Sequence, residues 1–343
     1  MRLGLIGSGR IGAFHARTLA EHDAVDSIVL ADADPTRARA VAAELGVEAV
    51  ELPDEVFTAG VDAVVVTAAT AAHAPLLLRA VQAGLPVFCE KPVAPSVLEH
   101  LAVLEEVERT GIAVQVGFQR RFDAGFAAAR EAVRSGSLGW VHTMRAGTLD
   151  AAPPPAEYVP VSGGLFRDCS VHDIDAIRWV TGQEVREVYA TGANHGADFF
   201  RAAGDVDAAA ALLTMADDAF ALLSGTRYNA AGYDVRLEVL GSADSISVGL
   251  DDRLPLRSVE AGVSFPSGPP WALFMDRFAP AYRAELAAFV QVAAGERESP
   301  CTVRDSLQTA LVAEACEVSR RDRRPVLVAE LAEQYGVLAG AAS

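Results

Sequence analysis

The chemistry open to this 343-residue chain is concentrated in three short stretches. The first is Glu90-Lys91-Pro92. Lys91 is the single lysine among 29 Lys+Arg, so every other basic side chain is an arginine. A guanidinium keeps its charge under nearly all conditions, whereas a compact ammonium has a pKa that burial and neighbours move. A solvated loop lysine is the ordinary reading of such a residue. Its isolation in a chain that otherwise uses arginine points instead to proton handling or contact with a substrate hydroxyl. The second stretch is Gly163-Gly164-x3-Asp168-x3-His172-x2-Asp175. On a helix, spacings of four and three set Asp168, His172 and Asp175 on one face. Histidine suits proton removal near neutral pH. Alone, Asp168 reads equally as a helix N-cap and His172 as a partly buried helical residue, but the paired glycines before them imply backbone lying close to a ligand.

The third stretch is Gly7-x-Gly9-x-x-Gly12, with Asp32 twenty residues further on. The pattern is weak by itself. It gains meaning from an apolar run before it, a helical period after it and an acidic residue ending the next apolar run. The glycines permit a tight turn, close approach to a pyrophosphate and close helix packing, while the helix N-terminus offers N–H groups to the anion. Asp32 suits the two free ribose hydroxyls of NAD and repels the extra phosphate of NADP. Arg37 could serve as a ligand to that phosphate, but it falls on the exposed first turns of the following helix. The cofactor set is therefore Gly7, Gly9, Arg10, Ile11, Gly12 and Asp32, joined by Thr67, Glu90 and Lys91 at later strand ends, where open α/β sheets bind their ligands.

These residues need a scaffold, and the hydrophobic pattern supplies one. Apolar runs at Arg2–Ile6, Ser27–Ala31, Val47–Val50, Asp62–Thr67, Pro86–Cys89 and Ile112–Val116 lack polar alternation, as parallel strands covered on both faces do. Segments with helical spacing separate them: Ile11–Glu21, Pro35–Leu45, Pro75–Ala83 and Ser96–Thr110. The result is a doubly wound α/β domain over residues 1–120. From Gly117 onward the period changes. A helix near Phe122–Arg134 precedes alternating runs at Val141–Gly147, Val185–Thr191, Ala208–Met215, Phe220–Ser224, Asp234–Leu240 and Ser245–Gly249. These predict an α+β domain over 121–343 on a largely antiparallel open sheet. Pro153–Pro155 and Phe265–Pro270 read as loops. Helices near Arg277–Ala294 and Val303–Arg320 close the chain, available to pack back on the first domain.

Composition excludes other classes. With 46 Asp+Glu the net charge is −17, and there is no basic run to meet a nucleic-acid backbone or an anionic membrane. The longest apolar stretch, Ala59 to Leu78, contains Asp62, His73 and Pro75, which a lipid-facing helix would not carry. Met1–Ile6 reads as a strand rather than a secretory signal, because the apolar run stops at Gly7. Cys89, Cys169, Cys301 and Cys316 show no metal-ligand or C-x-x-C spacing and read as reduced packing residues of an intracellular, cytoplasmic protein.

Taken together, G-x-G-x-x-G, E-K-P and G-G-x3-D-x3-H-x2-D resemble the Gfo/Idh/MocA oxidoreductases, and within them the inositol 2-dehydrogenase branch. The likeness runs in order over nearly the whole chain. It implies a Rossmann domain, a second domain whose open sheet forms the interface of a homotetramer, and a Lys-Asp-His catalytic set. Carried over, Lys91 contacts the reacting hydroxyl, His172 is the general base and Asp168 orients His172 or the substrate. Asp175 binds another hydroxyl, and Tyr233 of Gly232-Tyr233-Asp234 lies near the substrate. Phe118 to Asp123 also resembles these enzymes, with substrate contact and a structural salt bridge equally open. Their usual His and Asn are absent from Thr148-Leu149-Asp150, of which Asp150 is assigned to the substrate, and Ala69 replaces a Pro before His73. His73 lies near the nicotinamide or serves structure. The implied reaction is NAD-dependent oxidation of a secondary hydroxyl of a cyclic polyol such as myo-inositol. No metal is required, since Lys91 supplies the positive charge. The rival readings are an enzyme acting on a monosaccharide and a non-catalytic nucleotide-binding regulator.

Overall fold

The computed structural model describes residues 1–337. Two compact units divide it: Met1–Gln119 with Pro280–Gln308, and Arg120–Ala279 with Thr309 onward.

The first unit is built on six parallel strands, β1 (Arg2–Ile6), β2 (Ser27–Ala31), β3 (Glu48–Ala49), β4 (Ala63–Val66), β5 (Val87–Glu90) and β6 (Val114–Gly117), in the order β3-β2-β1-β4-β5-β6. Helices α1 (Arg10–Ala20), α2 (Pro35–Leu45), α3 (Thr70–Gln82) and α4 (Val97–Thr110) connect them. The strand order reverses between β1 and β4, which opens a crevice at their carboxyl ends. Leu3, Leu5, Ile28, Leu30, Val65 and Phe88 form a buried core with Leu286 and Phe289 of the returning chain. Local chemistry sets the helix limits. Asp34 caps α2 by accepting from the Thr36 N–H, Ser96 caps α4 by accepting from that of Glu99, and both helices end on a left-handed glycine.

Two expectations are corrected. Helix α3 begins at Thr70 rather than Pro75. The first turn of any helix has N–H groups without partners, so a proline just beyond it removes only one further bond. The third strand shrinks from Val47–Val50 to Glu48–Ala49 at the edge of the sheet.

The second unit contains α5 (Ala124–Arg134), β7 (Val141–Leu149), α6 (Val171–Thr181), β8 (Val185–Ala193), α7 (Asp198–Ala202), β9 (Ala208–Met215), β10 (Phe220–Thr226), β11 (Asp234–Gly241) and β12 (Ser245–Val248). Then follow α8 (Phe274–Ala293), α9 (Val303–Asp322), β13 (Val326–Leu327) and α10 (Val328–Gln334), with α8 and α9 each crossing from one unit to the other. The sheet order is β12-β11-β7-β10-β9-β8-β13, and every pair is antiparallel except β7 with β10. Alternation along β9 and β10 buries one face, while α6 packs on β7. The opposite face carries Tyr189, Leu212 and Leu222 in register across three strands, exposed by 39–47%. Among the described residues no helix is long and apolar enough to cross a membrane.

Within the first unit, His100 of α4 is buried, with Nε2 3.1 Å from the Val303 carbonyl. Burial lowers its pKa to about 4 from 6.5, the hydrogen bond opposing. Between these values the unfolded chain binds the extra proton, so stability is lost as pH falls from about 6.5 towards 4, by up to about 3 kcal/mol. His100→Gln keeps a donor but removes the titration. Urea unfolding at pH 7 and pH 4 should therefore show the variant losing about 3 kcal/mol less than the wild type.

Candidate active site

The cofactor half lies in the first unit. After β1 the chain turns at Gly7, whose φ is +106° and where a Cβ would lie 2.4 Å from the Ala68 nitrogen. A Cβ on Gly12 would meet the Gly7 carbonyl oxygen at 1.8 Å, and the Thr67 hydroxyl donates to that same oxygen at 2.7 Å. Thr67 thus fixes the turn from below. At Gly9 the situation reverses: a Cβ would meet nothing within 4 Å, and Gly9 begins α1 with no side-chain cap. Open space and uncapped N–H groups at a helix start, within the turn of Arg10 and Ile11, fit a pyrophosphate. Asp32 is buried at the end of β2, accepting from the backbone N–H of Ser8 at 2.6 Å and of Asp34 at 2.9 Å. Its carboxylate fits ribose hydroxyls and disfavours a phosphate in their place. Arg37, exposed on the first turn of α2, comes within 3.5 Å of Asp32.

Lys91 follows β5 directly and is half-buried. The residues on either side of it are each held by a buried histidine, Glu90 by His15 and Pro92 by His73. His73 therefore occupies a backbone-bracing position within this unit.

The other candidate residues gather at one end of the second unit's sheet. Because β7 and β10 run parallel, with Leu149 beside Thr226, the residues just past them, Asp150 and Arg227, emerge together. Arg227 is the residue that sequence reasoning missed. It donates to Asp150 at 2.9 Å and, through its other terminal nitrogen, to Asp168 at 2.6 Å. Burial works against its charge, but Cys169, Asp168 and Asp150 outweigh that and raise its pKa. Tyr158, also unforeseen, donates to the second Asp168 oxygen at 3.0 Å, and burial together with that carboxylate pushes its phenol upward. No periodicity marks Tyr158 in its proline-rich loop. Arg227 carried one available signal, its position after an alternating run at the same sheet end as Asp150.

Tyr233 precedes β11 at this end, its N–H donating to the Trp271 carbonyl at 2.8 Å. Burial raises its phenol pKa against the pull of Arg120, with Asp150, Cys169 and Asp173 adding to the rise. His172 is the second residue of α6, half-buried, and follows a π-helical turn at Phe166–Ser170. Such turns recur at functional sites because the extra residue re-aims the side chains that follow.

The spacing argument for a single Asp168-His172-Asp175 face is corrected here. Asp168 joins Arg227 and Tyr158, but Asp175 is fully buried and takes a two-pronged bond from Arg121, at 2.9 and 2.6 Å, on the core side of α6. It anchors the helix instead of reaching a ligand. Arg120 likewise binds Asp173 at 2.5 Å and Thr148 at 2.6 Å, so the Phe118–Asp123 stretch resolves as buried ion pairs and Thr148 belongs to them. Cys169 is more than packing, since its sulfur lies 3.4 Å from Asp150 and 2.7 Å from Arg227. The other three cysteines are buried and form no disulfide.

Comparison with known proteins places this geometry. Residues 1–118 match the oxidoreductase family with an NAD-binding Rossmann fold, and residues 126–247 match the GFO/IDH/MocA C-terminal domain. The chain is 38% identical over 327 residues to the myo-inositol dehydrogenase Hyg17 of Streptomyces leeuwenhoekii, covering 93% of this chain and 98% of that protein. It is 33% identical to the myo-inositol 2-dehydrogenase of Thermotoga maritima, covering 96% and 99%. The crystal structure of scyllo-inositol dehydrogenase from Lactobacillus casei, with bound NAD(H) and scyllo-inositol, superposes with a TM-score of 0.85 at 30% identity, covering 96% and 99%. With both of its halves matched and its relatives aligned nearly end to end, the chain belongs to the GFO/IDH/MocA family of NAD-dependent oxidoreductases.

Proposed function

We propose that this enzyme oxidises a secondary ring hydroxyl of a cyclic polyol, myo-inositol to 2-keto-myo-inositol foremost, as an inositol 2-dehydrogenase. The observation that carries this reading is the Asp150-Arg227-Asp168 cluster at the sheet end, beside Tyr233 and the start of α6. Carboxylates tied to one guanidinium are rigid acceptors whose remaining lone pairs suit neighbouring hydroxyl groups. Bound NAD+ supplies the hydride acceptor. His172 takes the hydroxyl proton at a ring nitrogen, and Lys91, as an ammonium, stabilises alkoxide character as it develops. Asp168 keeps the substrate or His172 in register, its own orientation set by Arg227 and Tyr158. The balance is one hydride to the nicotinamide and one proton to His172, leaving a ketone.

The working enzyme is a homo-oligomer, a tetramer by family likeness, that operates in the cytoplasm where NAD is available. The apolar row Tyr189-Leu212-Leu222 on the open sheet face supports self-association through that face.

NADH formation from a panel of myo-inositol, scyllo-inositol and D-glucose tests the substrate. The highest kcat/KM should fall on an inositol, and preference for the aldose would overturn the assignment. Lys91→Arg keeps the charge but not the compact ammonium, so kcat should fall by about 10²–10³-fold with NAD+ affinity retained. Arg227→Gln removes charge-assisted bonds worth roughly 1.5–3 kcal/mol, lowering kcat/KM for the polyol by about 10–100-fold. In light scattering, Leu212→Asp should shift the protein to smaller species, and an unchanged mass would exclude this face as the interface.

A further inference from the structure

We propose that His15 and His73 are positioning residues for Lys91, a clamp that grips the chain on both sides of it; the proposal rests on the reading of Lys91 as the group that meets the substrate hydroxyl. A lysine ammonium sits at the end of a flexible four-carbon stem. It delivers charge to a fixed point only when the root of that stem is held, and misplacement by about 1 Å costs on the order of 10²-fold in rate.

His15, on α1, has no exposed surface. Its ring lies edge-on to Phe88, with centroids 5.6 Å apart at 83°, and 5.6 Å from Tyr282. An apolar side chain would fill such a cage, yet Nε2 reaches out of it to Glu90 Oε1 at 2.7 Å. The Glu90 carboxylate is confined from the other side as well: a Cβ on Gly117 of β6 would come within 3.0 Å of Oε2, so it rests against bare backbone. The residue before Lys91 is thereby fixed between a histidine and a glycine.

His73, on α3, acts on the residue after Lys91. Its Nδ1 lies 2.7 Å from the Pro92 carbonyl oxygen and its Nε2 2.9 Å from that of Ala68. A carbonyl only accepts, so the ring nitrogen that carries the proton donates to the carbonyl it faces while the other packs against its own. Ala68 is the residue whose nitrogen closes over Gly7 in the cofactor turn. His73 therefore ties the Lys91-Pro92 turn to the Ala68 loop between β4 and α3, which packs against Gly7, and α1, carrying His15, begins just past that glycine. One rigid assembly sets both the dinucleotide turn and the root of Lys91.

Because Lys91 is the only lysine, protein grown on [ε-13C]lysine in a lysine-free expression format yields one labelled side chain, readable by NMR without turnover. His15→Phe keeps the aromatic cage and loses the donor, and His73→Leu removes the ring nitrogens that face both carbonyls. Each should lower kcat by about 10–100-fold and shift or broaden the Lys91 Cε resonance, and His73→Leu, which also frees Ala68 from the ring, should raise KM for NAD+ more than His15→Phe does. His15→Gln and His73→Asn keep a donor facing Glu90 and Pro92 and should recover most of the rate and the resonance. A folded Phe or Leu variant with wild-type kcat and an unmoved resonance overturns the clamp. So does a loss of rate that Gln and Asn fail to recover while the resonance stays in place. Lys91→Ala separates the two readings: if it turns over normally while the histidine variants still move the Lys91 signal, the clamp holds and the catalytic assignment of Lys91 falls.

Discussion

The sheet end that gathers Asp150, Asp168 and Arg227 depends on two buried arginines. Arg120 and Arg121, adjacent in sequence, reach Asp173 and Asp175 from beneath α6, and Phe126 and Phe278 each lie 5.8 Å from the Arg120 guanidinium. Burial pushes the Asp173 carboxyl upward while Arg120 and Thr148 oppose it, so the pair is held by mutual need. Buried ion pairs add little net stability over apolar packing of the same volume, but removing one partner costs several kcal/mol. Their value here is geometric. Two charge pairs two residues apart on one helix admit a single rotation and a single axial position for α6. His172, which lies between Asp173 and the π-helical turn, inherits that setting.

A second constraint comes from sheet direction. A wholly antiparallel sheet would send the ends of β7 and β10 to opposite edges of the unit. The one parallel pair in the sheet brings Leu149 and Thr226 side by side, and with them Asp150 and Arg227. The ladder is continued past the strands by the Asp150 N–H donating to the Thr226 carbonyl at 2.9 Å, so these loop residues are held almost as firmly as strand residues.

Much of this architecture is legible in the sequence, for reasons that differ between the units. Strands β1 and β2 and helix α2 fall where the pattern puts them, because uninterrupted apolar runs, Asp34 and Gly46 act locally. The glycine turn is legible for the same reason, since its requirements involve neighbours in the chain. Asp175 is misassigned because sequence spacing cannot reveal which side of α6 faces the core, and Arg121 lies more than fifty residues away. Arg227 escapes notice because its partners, Asp150 and Asp168, are joined to it only by tertiary pairing. The π-helical turn leaves no propensity signature in Phe-Arg-Asp-Cys-Ser, and it alters the spacing from which a shared face for Asp168 and His172 is drawn.

The position of Asp150 and Arg227 just outside the paired ladder has an evolutionary consequence. The paired register of β7 with β10 ends at Leu149 and Thr226, and the one bond beyond it uses only the Asp150 backbone N–H, so the side chains that follow can be exchanged without breaking a strand pairing. The buried arginine pairs that set α6 belong to a different set of side chains. Selection can therefore act on the side chains at positions 150 and 227 while the buried pairs that set α6 are inherited intact, so the charge pattern at this sheet end can change without disturbing the frame beneath it.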